Sequence, residues 1–121
     1  MEEKYDIIIG PKVSKEFVYE THRAISFLKD KTGLEINKQI IIHNETEEPG
    51  FYDSEDNRIY ISEKGTIKRM EEKGGSQISI ALIYLILILF YFSKYKTHDE
   101  QKATKFAEET LKQLSEELKH Y

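Results

Sequence analysis

The sequence predicts an α+β domain in which a small sheet of three to four strands carries helices packed on one face. Three observations lead there. Short β-branched runs bounded by turn residues supply the strands. Two longer segments repeat apolar residues at helical spacing. Between them the run Ile78 to Phe92 (ISIALIYLILILFYF) is apolar on every side, so the helix over 77–94 belongs at the centre of the core.

Tyr5 to Gly10 (YDIIIG) reads as a strand stopped by Gly-Pro. Ser14 is an N-cap residue, and Phe17, Ala24, Ile25 and Leu28 share one helical face. Gly33 stands where a C′ residue belongs, so Ser14 to Thr32 is expected to be a helix. Lys38 to His43 (KQIIIH) reads as a buried strand, and Asn44 to Gly50 (NETEEPG) as an acidic loop. Phe51 to Asp53, the turn Ser54 to Asn57, and Arg58 to Ser62 (RIYIS) form a hairpin pattern. In it Ile59 and Ile61 alternate with Arg58, Tyr60 and Ser62. Thr66 to Lys73 predicts a short polar helix closed by Gly74-Gly75. Thr97 to His120 predicts an amphipathic helix with an apolar stripe of Ala103, Phe106, Ala107, Leu111, Leu114 and Leu118. No internal repeat or long linker divides the chain, so residues 1–121 are read as one domain.

Composition narrows the function classes. With 121 residues the chain can bury a modest core without staples. It has no cysteine, which excludes disulfides and thiolate metal sites and suits a cytoplasmic protein. No basic segment followed by an apolar one opens the sequence, so no signal peptide is expected. A formal net charge of −4 argues against nucleic acid as the main partner, since phosphate binding needs concentrated Lys and Arg. Charged residues make up 33% of the chain, chiefly Lys and Glu, a thermophile-like bias. A membrane span needs about 20 apolar residues. The run 78–92 falls short of that and is flanked by amphipathic segments that need partners, so a core helix is expected rather than a span.

Two local patterns then suggest a family. One is Gly50-Phe51-Tyr52-Asp53 through Asn57-Arg58-Ile59-Tyr60-Ile61; the other is Glu100 to Leu111 (EQKATKFAEETL). In the order helix, strand, hairpin, apolar helix, amphipathic helix, they resemble the ImmA/IrrE family of zincin-like metallopeptidase domains, over Ser14 to Leu118. The resemblance implies a zincin-like fold with an active-site helix where Ile78 to Phe92 lies. That family carries His-Glu-x-x-His there: two His one turn apart bind zinc and the Glu is general base. The best register puts Ile83 and Leu87 at the two His positions and Tyr84 at the Glu. In any register the motif is missing, because no His, Glu, Asp or Cys occurs from Gln77 to Phe92. An empty, buried His-Glu-His cluster would leave polar groups unpaired at a few kcal/mol each, so aliphatic replacement is physically coherent.

Other polar residues read as structural. The resemblance would put a third zinc ligand near Glu100, but Thr97-His98-Asp99-Glu100 fits a capping box with Thr97 as N-cap. His98, Asp99 and Glu100 are consecutive and point in different directions on a helix. Asp53, Glu55 and Asp56 suit a hairpin tip with Asx turns. His22 and His43 read as surface or satisfied structural residues. Tyr52, Tyr60, Tyr84 and Tyr91 read as packing residues with their hydroxyls satisfied, and Glu45 to Glu48 as a solvated loop.

No catalytic, cofactor-binding or metal-ligating residue is assigned, and no cofactor is expected. The favoured expectation is a non-catalytic, degenerate zincin-like domain. It would act as a protein-binding or regulatory module, through a protein partner or as a homodimer or larger homo-oligomer. The resemblance points by analogy to a transcriptional regulator or a toxin-antitoxin-type system. Two rivals stand beside it: an enzyme of unrecognised type using carboxylates near Asp53 to Asp56 or His43, and a membrane-associated protein held by the 78–92 run.

Overall fold

A computed structural model describes residues 6–35, 39–75 and 77–121. Tyr5 and Lys38, expected at the starts of two strands, lie outside the described residues. The elements run β1 (Asp6–Ile9), α1 (Lys15–Thr32), β2 (Gln39–His43), β3 (Gly50–Asp53), β4 (Arg58–Ser62), α2 (Glu63–Glu72), α3 (Ile78–Tyr95), α4 (Glu100–Gln113) and α5 (Ser115–Leu118). The fold is mixed α and β, with one four-stranded sheet in the order β1-β2-β4-β3. β1, β2 and β4 are parallel, and β3 closes one edge antiparallel to β4.

Register sorts the sheet residues into two faces. Ile7, Ile40, Ile59 and Tyr52 lie side by side, as do Ile9, Ile42, Ile61 and Gly50. These rows face the helices, and Ile40, Ile42, Ile59, Ile61 and Tyr52 are buried there. Gly50 is needed for close approach: a Cβ on it would come within 2.9 Å of Leu85 and Leu89 of α3. The alternate row, Ile8, Ile41, Tyr60 and Phe51, faces away. The β2 run was expected to be buried as a whole; Ile40 and Ile42 are, while Ile41 is only half-buried because the helices lie on one face.

α3 is the centre of the helical layer, packed against α1, α2, α4 and β3. Its Leu82, Ile83, Ile86, Leu87, Leu89 and Phe92 join Phe17, Ile25 and Leu28 of α1 and Ala103 and Ala107 of α4 in one core cluster. No residue from Ile78 to Ser93 is exposed. With a mean hydropathy of 2.0, α3 is the one described helix long and apolar enough to cross a membrane.

The helix boundaries have identifiable causes. Ser14 caps α1, its Oγ accepting the Phe17 N–H at 3.1 Å, and Gly33 ends it at φ 69. Glu63 fastens that end to α2, accepting the Ser14 N–H at 2.8 Å and the Ser14 hydroxyl at 2.7 Å. α2 begins three residues before the expected Thr66, because Ser62 ends β4 and also caps the helix through the Gly65 N–H. α4 is capped by Asp99, which accepts the Lys102 N–H, and not by the expected Thr97. Thr97 Oγ1 instead accepts the Asp99 N–H and holds the capping residue in place. The expected single helix over 97–120 is two, divided at Leu114. The bend keeps Leu114 buried and turns the chain so that Tyr121 lands on α1. There its ring meets Phe27 at 4.7 Å between centroids, with the Arg23 guanidinium 3.9 Å from the ring centre.

Candidate functional site

The uncovered face of the sheet is the most distinctive surface. Its central row carries Ile8 (45% exposed), Ile41, Tyr60 and Phe51 (56% exposed). Four large apolar side chains in line across a sheet bury themselves when a helical layer is present, as on the opposite face; here no described element covers them. At the β3 side, this row floors a concavity of about 440 Å³ whose lining includes Ile41, Tyr60 and Phe51 below and His43, Glu45, Glu48 and Asp53 around them.

The rim is built on braced backbone. Ser62 donates its hydroxyl to Thr46 O at 2.7 Å, and its N–H goes to Pro49 O at 2.9 Å. Gly65 lets the loop lie against α2: a Cβ there would stand 2.2 Å from Glu48 O. Glu47 is tied to Lys68, whose hydrogen bond and charge hold the Glu47 carboxyl below its ordinary range and raise the Lys68 ammonium. The acidic loop expected to be merely solvated is thus exposed in its side chains but fixed at its backbone. Glu45 and Glu48 make no ion pair among the described residues.

The other residues singled out in the sequence scatter. His43 accepts the Glu45 N–H at its Nδ1 (3.2 Å), so the neutral ring carries its proton on Nε2. Asp53 Oδ1 accepts the N–H groups of Glu55 and Asp56, the expected Asx turn, with Asn57 left-handed at φ 59. Tyr52 is buried, donates its hydroxyl to Asn57, and has its phenol pushed up by burial and by Asp53. His98 Nε2 lies 2.9 Å from Tyr52 O and the ring packs against Phe51, Tyr52 and Phe92, covering part of the β3 edge. Glu100 is exposed in the first turn of α4 and His22 is exposed on α1. Tyr91 packs on Tyr95 and Phe106, and Tyr84 is half-buried at the edge of the core.

Ile83 and Leu87 are completely buried. Among the described residues, no three His, Asp or Glu side chains converge to hold a metal ion. Nothing in the sequence marks Ile8, Ile41 and Phe51 as one open face. Triple isoleucine runs hide the period-two pattern that would have shown them alternating outward. Compared with family models, curated proteins and solved structures, the chain matches none.

Proposed function

We propose that this chain is a non-catalytic, zincin-like domain that serves as a protein-binding module, with the uncovered sheet face as its docking surface. The observation that carries the reading is the apolar row Ile8, Ile41, Tyr60 and Phe51 standing open beside a braced acidic loop. The complete burial of the aliphatic Ile83 and Leu87 supports the non-catalytic part, since no His, Asp, Glu or Cys occurs from Gln77 to Phe92. A regulatory setting in the cytoplasm, alongside a transcriptional regulator or toxin-antitoxin component, rests on the family resemblance alone.

Of the rivals, the enzyme draws on His43 and Asp53 lining one concavity. The bonding of these groups favours docking. The His43 Nδ1 is engaged by backbone, no carboxylate is bonded to its ring among the described residues, and Asp53 is committed to its turn. Self-association has its own supporting feature: β1 is an edge strand with Ile9 50% exposed and no charge after Asp6.

Photo-crosslinking in cells that make the protein tests the docking face. A benzophenone side chain replacing Tyr60 should trap a specific partner, whereas one replacing the exposed Tyr19 of α1 should not. Equal trapping from both positions, or none from residue 60, contradicts the reading. The scaffold itself is tested by the triple variant Ile83→His, Tyr84→Glu, Leu87→His. Buried polar groups should lower its stability by a few kcal/mol, and zinc should restore part of that loss by binding the folded state. A folded triple variant indifferent to zinc would remove the zincin-like assignment.

A further inference from the structure

We infer that the concavity on the open face receives an arginine or lysine side chain flanked by apolar residues, presented by a segment of a partner protein. This rests on the docking reading above and specifies the chemistry of the partner. Charge complementarity is the argument. The nearby cations Lys64 and Lys68 act on Glu47, where Lys68 is bonded. Arg58 bonds Tyr60, is held by Gln39 at 2.9 Å, and its charge is met by Asp56 and Asp53. Glu45 and Glu48 are left facing the concavity without a cation among the described residues, and no Lys or Arg lines it. Below them lie the rings of Tyr60 and Phe51, 6.1 Å apart, and the Ile41 side chain.

An acidic rim over an aromatic and aliphatic floor matches a side chain that is apolar along its stem and cationic at its tip. The stem covers Ile41 and Phe51, the cation reaches the carboxylates, and the faces of Tyr60 and Phe51 attract it further. An anionic or nucleic-acid ligand would meet repulsion at the same rim. The bracing of the 44–50 loop by Ser62, Gly65 and Lys68 means that the backbone carrying Glu45 and Glu48 is fixed before a ligand arrives, which lowers the ordering cost of binding.

The test is a titration of isotope-labelled protein followed by amide chemical shifts, with acetyl-Leu-Arg-Leu-amide as probe. Acetyl-Leu-citrulline-Leu-amide, nearly the same shape without the charge, is the control. The arginine peptide should shift the amides of Glu45, Phe51 and Tyr60. The citrulline peptide should bind at least roughly five-fold more weakly, and added salt should weaken only the arginine peptide. The double variant Glu45→Gln, Glu48→Gln, on exposed loop positions, should bind both peptides equally. Equal binding of the two peptides by the unmodified protein overturns the cation assignment and leaves the docking face standing. Shifts of these residues that depend on protein concentration and not on peptide overturn it in favour of a second copy. If neither peptide perturbs the face while residue 60 still traps a partner, this inference fails and the docking reading survives; failure of both experiments removes both.

Discussion

Ile7, Ile40, Ile59 and Tyr52 form one row across the sheet, and Ile8, Ile41, Tyr60 and Phe51 form the next, offset by a single residue on each strand. The two rows are nearly the same in chemistry. In the first, Ile40, Ile59 and Tyr52 are each at most 2% exposed, sealed by the helical layer. In the second, Ile8 and Phe51 stand open to solvent. The difference lies in what covers each face and not in the side chains. The chain makes one helical layer, centred on α3, and spends it on one side of the sheet. The other side keeps a core-like row with no helix over it among the described residues, only the His98 ring against Phe51, and the docking proposal rests on that difference.

The largest expected effect separates adjacent residues of β2. Ile42→Ala should cost about 3 kcal/mol in denaturant unfolding, since it opens a cavity in a sealed core. Ile41→Ala should cost less than about 1 kcal/mol, because the site is already half open to water. Equal losses would erase the distinction between the faces.

A second break targets the brace beneath the rim. Gly65→Ala drives a methyl group against Glu48 O and should cost about 2 kcal/mol through forced backbone movement. The amides of Glu45 and Glu48 should shift with it. An unchanged melting curve and unchanged loop amides would mean that the loop is not held as described.

The smallest effect sharpens the closed side. Burial pushes the Tyr121 phenol up to about 12, against the pull of the Arg23 guanidinium, and its hydroxyl is buried without a partner. The folded state therefore favours the neutral phenol. The stability this contributes is fully present below pH 10 and is lost as pH rises from 10 towards 12. Tyr121→Phe should be nearly neutral at pH 7, because it removes a buried hydroxyl that bonds nothing. It should also flatten this part of the alkaline decline, read as the difference between variant and parent. An identical alkaline decline in both proteins would mean that Tyr121 is free in solution.

Much of the architecture was legible because its signals are local. Ser14 and Gly33 bound α1 by capping chemistry, Ile59 and Ile61 alternate inward, and the run 78–92 is apolar on every side and so takes the centre of the helical layer. The errors come from residues with two roles or from tertiary forces. Ser62 closes a strand and opens a helix, so α2 was expected to start late. The division at Leu114 has no Gly or Pro to announce it and is set by packing. The open face was the least legible part. Whether Ile41 meets a helix or water depends on how many layers the chain can make, and the triplets Ile7 to Ile9 and Ile40 to Ile42 look alike from either side. Similarly, Glu45 to Glu48 reads as ordinary loop acid until Lys68 is seen to neutralise only Glu47.

The most direct measurement takes one double variant, Ile41→Thr with Phe51→Ser, through two readings: its unfolding free energy and its capture of a partner by the benzophenone at residue 60. If the open face is reserved for docking, stability should fall by no more than about 1 kcal/mol while capture disappears. A loss of several kcal/mol would place this row in the folding core, and undiminished capture would show that the partner sits elsewhere; either result contradicts the account.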